Sequence, residues 1–184
     1  PTVQQSVNAG VELSFFSGDK LIGGPQAGIV AGKAEWVERL GRHPLARAVR
    51  IDKMGLAALS ATLTSFLKGK AHEEIPVWRM ISMSQDAISK TAQGWMKAID
   101  SSAVRLREGL STVGGGSLPG ETLPTILLSV TPPDSPDAFA RRLRSGPTPV
   151  IARIEDQDVV LDPRTVSEDQ SSIVIEAVKS ALKG

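Results

Sequence analysis

Apolar residues recur along this chain with two periods, and the period changes where glycine or proline interrupts it. Val11, Leu13 and Phe15 alternate with polar neighbours, and Phe16 extends the run, which predicts a strand over 11–16. Gly28-Ile29-Val30-Ala31-Gly32 reads as a second short strand, buried and bounded by glycines. The glycine-rich turn between them predicts a hairpin-like pair at the edge of a sheet. Residues 1–10 read as the tail of a turn and a short helix. Residues 33–40 read as a helix with Trp36, Val37 and Leu40 on one side and Gly41 as its C-cap. Met54 to Leu67 carries Leu56, Leu59, Leu63, Phe66 and Leu67 at near-helical spacing, and Gly69 ends that helix.

After a polar stretch at 70–76, taken as a domain boundary, the periods alternate again. Ser84 is a predicted N-cap, and Ile88, Ala92, Trp95 and Ile99 share one helical face. Strands are predicted over 104–113, despite Gly109, and over 125–130. Ser135-Pro136 opens a helix that carries Phe139 and Leu143 and stops at Gly146. Strands over 150–155 and 159–162 flank a turn at Asp156-Gln157. A capping box at Ser167-Glu168-Asp169-Gln170 precedes a last helix with Ile173, Val174, Ala177, Val178, Ala181 and Leu182. The order helix, strand, strand, helix, strand, strand, helix describes an α+β domain with helices on one mainly antiparallel sheet.

Composition narrows the chemistry. In 184 residues, 21 Lys+Arg face 20 Asp+Glu, so a strongly basic surface overall is excluded while a local basic patch is not. There is no cysteine, which removes disulfides, thiolate metal sites and thiol catalysis. Two histidines, His43 and His72, cannot form a His-rich metal cluster, and no metal site is expected. No apolar run reaches the ~18 residues of a membrane span, and a soluble cytoplasmic protein is the expectation.

The candidate chemistry lies in Ser17-Gly18-Asp19-Lys20-Leu21-Ile22-Gly23-Gly24-Pro25-Gln26-Ala27-Gly28. A strand delivers a lysine into a turn too rich in glycine to be an ordinary strand end. Lysine amines act as nucleophiles when burial or cationic neighbours lower a pKa that is ordinarily about 10.4. The plain alternative is a solvated loop lysine. Further on, Arg47 and Arg50 lie three apart, so on a helix or tight turn both guanidinium forks face one side and suit a phosphate-type anion. The alternative there is a solvated basic face. His43 before Pro44 shapes a turn. The loop Gly114-Gly115-Gly116-Ser117-Leu118-Pro119-Gly120-Glu121 lacks the Gly-Lys-Ser/Thr ending of a P-loop and reads as a structural or substrate-approach loop. Trp36, Trp78 and Trp95 read as core residues.

The strand, Ser-Gly-Asp-Lys and glycine-rich turn resemble the Schiff-base lysine loop of pyridoxal-phosphate enzymes of the aspartate-aminotransferase type. Three strings in order, 17–28, His43-Pro-Leu-Ala-Arg-Ala-Val-Arg50-Ile-Asp-Lys53 and 114–124, resemble the bacterial selenocysteine synthases, the L-seryl-tRNA(Sec) selenium transferases. The resemblance extends through Ile151-Ala-Arg153-Ile and Leu161-Asp-Pro-Arg164-Thr-Val166. It implies the C-terminal part of a fold type I transferase of mixed α/β class. Residues 1–68 would end the large cofactor domain, and 69–184 would form the complete small α+β domain.

The same resemblance implies that Lys20 carries pyridoxal 5'-phosphate. Ser17 would donate to the cofactor phosphate, unless it only satisfies its own turn. Arg47 and Arg50 would hold the phosphate of the selenium donor or the tRNA acceptor end, and Arg153 the carboxyl or ester of the substrate. The implied reaction converts seryl-tRNA(Sec) to selenocysteinyl-tRNA(Sec) with selenophosphate, by way of dehydroalanyl-tRNA, in a homo-oligomer of dimers set in a larger ring. A fragment of this kind is expected to be inactive alone and to self-associate. The alternatives are a paralogous ammonia-lyase acting on a small phosphorylated amino acid, and a non-catalytic oligomerisation module.

Overall fold

The computed structural model describes residues 2–114 and 117–184. The chain divides into two compact units, Pro1–Arg79 and Met80–Gly184. Among the described residues no helix is long and apolar enough to cross a membrane.

The first unit opens with α1 (Val3–Asn8), held by a capping box in which Thr2 accepts from the Gln5 amide and the Gln5 side chain accepts from the Thr2 amide. Strands β1 (Leu13–Ser17) and β2 (Gly28–Gly32) pair antiparallel, from Leu13 opposite Gly32 to Ser17 opposite Gly28. The expected hairpin is present, as a two-stranded sheet of its own rather than the edge of a larger one. Helix α2 (Ala34–Gly41) takes Lys33 as N-cap, and Gly41 is its last helical residue instead of its cap. Helix α3 (Pro44–Ala48) is a single short turn of chain with the His43 imidazole accepting from the Leu45 amide. Helix α4 (Lys53–Leu67) is capped by Asp52, whose carboxylate accepts from the amides of Met54 and Gly55. Of its apolar stripe only Leu59 is buried, whereas Leu56 and Leu67 are exposed.

Residues 70–76, expected as a polar boundary, are instead largely helical, with α5 (Ala71–Glu74) leading into α6 (Pro76–Ser82). The physical reason is a set of contacts within the first unit, to which these residues belong. The Ser65 hydroxyl donates to Glu74 at 2.6 Å, Ile75 is buried, and the Phe66 and Trp78 rings meet at right angles. The division between units therefore falls within α6.

The second unit follows the expected order: α7 (Gln85–Ile99), β3 (Val104–Thr112), β4 (Thr122–Val130), α8 (Pro136–Arg144), β5 (Arg153–Glu155), β6 (Asp158–Leu161) and α9 (Ser171–Leu182). Its sheet runs β3-β4-β6-β5, antiparallel at every pairing. Helix α7 is capped by Ser84 and buries Ile88, Ala92, Trp95 and Ile99, the four positions its period marks. Helices α8 and α9 add Phe139, Leu143, Val174 and Val178 to one apolar cluster with Leu128, Val130 and Val159 of the sheet. Each such fully buried side chain contributes roughly 1.5–3 kcal/mol of burial free energy. Gly109 sits in mid-strand because Leu127 lies across it: a β-carbon there would stand 2.4 Å from Leu127 Cδ1.

Several details depart from expectation; strand β5, predicted over 150–155, begins only at Arg153. Strand β4 begins at Thr122 and takes in Pro124, which β6 does not reach because it pairs only with Leu128 to Val130. In place of a capping box running directly into the last helix, residues 168–170 form a 3-10 turn and α9 starts at Ser171. The turn at Asp156-Gln157 is as predicted, with φ of 50° and 69°. The glycine-rich loop at 114–121 falls partly on Gly115 and Gly116, which lie outside the described residues.

Candidate active site: the Lys20 loop

The ten residues between β1 and β2 form a loop fixed from inside and from outside. Inside, the Gly18 amide donates to the Ala27 carbonyl at 2.8 Å, closing the neck. The Gly24 amide donates to the Gly18 carbonyl at 2.8 Å, and the Gly23 amide to the Lys20 carbonyl at 2.9 Å. Gly23 has φ of 72°, the left-handed region where a side chain is strained. Outside, three elements brace it: Leu59 and Thr62 of α4 lie beside Gly18 and Gly24, Ile75 lies against Gly23, and the Trp78 indole N–H donates to the Leu21 carbonyl at 2.6 Å.

On this loop the Lys20 amine is half-exposed, with its side chain 47% accessible and Nζ 3.9 Å from Asp19 Oδ2. Ser17 donates its hydroxyl proton to Asp19 Oδ1 at 2.6 Å. That hydrogen bond is the main reason the Asp19 carboxyl lies below its ordinary range; slight burial opposes it, and Lys20 assists. Backbone hydrogen bonds thus fix the loop while the amine stays reachable. Ser17, Asp19 and Lys20 are thus brought together at the start of the loop.

Arg47 and Arg50 are both exposed, and among the described residues neither has an ion-pair partner. They do not share a helical face. Helix α3 ends at Ala48, Val49 is its C-cap, and Arg50 lies beyond it in the link to Asp52. The short segment is nevertheless defined at both ends, by the His43 cap before it and the Asp52 cap after it.

Arg153 belongs to the second unit. It lies on edge strand β5, where its guanidinium contacts the Glu155 carboxylate at 2.9–3.0 Å. It also lines a cavity of about 440 Å³ with Val150, Asp162, Thr165, Gln170 and Ile173.

Sequence reasoning missed the second unit's polar hub. Arg164 is only 5% exposed and spreads its guanidinium over three elements. Nε donates to Ser111 Oγ at 3.0 Å, Nη2 to the Pro124 carbonyl at 2.7 Å, and Nη1 to the Met80 and Met83 carbonyls at 2.8 and 3.2 Å. Asp162 accepts from Ser111 Oγ, Thr125 Oγ1 and the Arg164 amide. Burial pushes the Arg164 pKa down, and Asp162 partly offsets that. Every polar atom named here has a partner, which marks the hub as structural.

The fold is similar to that of a solved structure of D-glucosaminate-6-phosphate ammonia-lyase. The TM-score is 0.63 over 96% of this chain and 45% of that one, at 20% identity, so the likeness is one of fold. Sequence is more specific. The family model for L-seryl-tRNA selenium transferase matches residues 1–167. Proteins named L-seryl-tRNA(Sec) selenium transferase from Alkaliphilus metalliredigens, Clostridium botulinum and Geotalea daltonii are 42%, 41% and 44% identical across the whole chain. The chain belongs to the L-seryl-tRNA selenium transferase family. It spans about 40% of the length of these relatives.

Proposed function

We propose that this chain is the lysine-bearing portion of a pyridoxal-phosphate enzyme that converts seryl-tRNA(Sec) to selenocysteinyl-tRNA(Sec), with selenophosphate as selenium donor. The observation that carries the reading is Lys20: a reachable amine on a loop locked by backbone hydrogen bonds, in a chain of this family. The residues present fit the cofactor on the side they supply. Lys20 Nζ offers a covalent anchor, and Ser17 offers a hydroxyl that would have to leave Asp19 to reach a phosphate.

Pyridoxal phosphate, when bound, supplies the electron sink for breaking bonds at the substrate α-carbon. This chain's residues supply position and proton transfer. Lys20 Nζ is the amine placed to take up a substrate proton. Asp19 orients the Ser17 hydroxyl and lies near the amine. Arg47 and Arg50, free of carboxylate partners among the described residues, hold the phosphate group of the selenium donor or of the tRNA end. Arg153 is the second-unit candidate for the substrate ester, which would compete with Glu155 for its guanidinium. Action as a homo-oligomer of dimers, and in the cytoplasm, belongs to the same proposal and rests on the family resemblance.

The test is turnover by the full-length polypeptide. Seryl-tRNA(Sec) and selenophosphate should yield selenocysteinyl-tRNA(Sec), and Lys20→Ala should abolish the product. Failure with these substrates, together with ammonia release from a small phosphorylated amino acid, would replace this reading with the lyase one.

A further inference from the structure

We infer that Trp78 is a positioning residue for Lys20, acting through the main chain of the residue next to it. The inference rests on the reading of Lys20 as the cofactor lysine. Three observations carry it. The Trp78 indole N–H donates to the Leu21 carbonyl at 2.6 Å, across 57 residues of sequence. The indole is itself fixed, half-buried, with the Phe66 ring perpendicular to it at 6.1 Å between centroids. The residues leading into Trp78 press on the same turn: a β-carbon on Gly23 would lie 2.4 Å from Ile75 Cγ2 and 3.0 Å from Val77 Cγ1.

The Leu21 carbonyl belongs to the Leu21–Ile22 peptide group, one peptide beyond the one that joins Lys20 to Leu21. Two intraloop bonds flank it, Gly23 N–H to the Lys20 carbonyl and Gly24 N–H to the Gly18 carbonyl. With the Leu21 carbonyl pinned, the backbone at Lys20 is restrained from both sides while its side chain remains free to react. Without the indole donor, that half-buried carbonyl loses its partner and the turn gains alternatives. A ring that only filled space would be replaceable by phenylalanine; the hydrogen bond is not.

The experiment compares wild type, Trp78→Phe, Trp78→His and Lys20→Ala in the full-length polypeptide. Amide exchange is read over residues 18–27 without cofactor, and pyridoxal phosphate affinity is read by absorbance. Loss of one net hydrogen bond predicts that Trp78→Phe speeds exchange at Gly23 and Gly24 and weakens cofactor binding, each by roughly 3- to 10-fold. Trp78→His, which keeps a ring N–H, should recover part of both. Lys20→Ala should stop covalent attachment and leave loop exchange unchanged. Exchange and affinity for Trp78→Phe equal to wild type would overturn the inference. Absence of any attachment in wild type would instead defeat the Lys20 reading, and the exchange result would still show whether Trp78 holds the loop. Should the variants fail to fold, the wild-type indole N–H decides: protection comparable to the Gly24 amide supports the bond, and exchange at the solvent rate overturns it.

Discussion

A β-carbon on Gly23 would stand 2.4 Å from Cγ2 of Ile75, so the turn after Lys20 and the entry to α6 fit together only because position 23 lacks a side chain. The left-handed φ of 72° there adds a second demand for glycine. Gly23→Ala should therefore destabilise the first unit by roughly 2–4 kcal/mol, combining left-handed strain with overpacking. Urea unfolding followed by tryptophan fluorescence measures it. An unchanged midpoint would mean that Ile75 does not seat on the loop.

The arginines should behave oppositely, as exposed residues whose loss costs function and little stability. Arg47→Ala and Arg50→Ala should each raise KM for selenophosphate by roughly 10-fold or more, the scale of a hydrogen bond to a charged group. Thermal unfolding should stay within about 0.5 kcal/mol of wild type. Because Arg50 lies beyond the end of α3, the two effects need not be equal. If kcat fell while KM held for both selenophosphate and seryl-tRNA(Sec) in both variants, anion binding would not be their role.

Replacing Arg164 by methionine would strand the Pro124, Met80 and Met83 carbonyls and leave Asp162 without its nearby positive charge. Removal of one member of a buried charged network costs about 3–5 kcal/mol. The expected outcome is a large drop in stability of the second unit, read by calorimetry, with the Lys20 loop intact by amide exchange. A near-neutral substitution would contradict the hub described here.

Asp158 sets an acid limit on the second unit. Burial acts to raise its pKa, but hydrogen bonds from Ser129 and Thr131 and the charges of Arg105 and Arg107 outweigh burial and leave it lowered. A carboxyl whose folded pKa is depressed stabilises the fold above its unfolded value, about 3.9, and loses that contribution as pH falls through the folded value. Stability should therefore decline below about pH 4, and Asp158→Asn should flatten that part of the curve. Equal slopes for variant and wild type would show that Asp158 is not responsible.

The second unit was legible because its signals are local and agree. The period of Ile88, Ala92, Trp95 and Ile99 marked the buried face of α7, and Ser84 and Ser135 marked helix starts that the structure confirms as caps. The hairpin around Lys20 was legible for the same reason, through two apolar runs and a glycine-rich turn. What escaped depends on residues far apart in sequence. Nothing near Trp78 indicates that its N–H meets Leu21, and nothing near Arg164 indicates three carbonyls from two other segments. The spacing of Arg47 and Arg50 suggested a shared face because three residues make nearly a helical turn. Helix α3 simply ends between them.

On the proposed reading Lys20 holds the cofactor, and adduct mapping tests this. The full-length polypeptide is mixed with pyridoxal phosphate, reduced with borohydride, digested and mapped by mass spectrometry. A single cofactor adduct is expected on the peptide containing Lys20, absent from Lys20→Ala. An adduct on another lysine, or none at all, would contradict it.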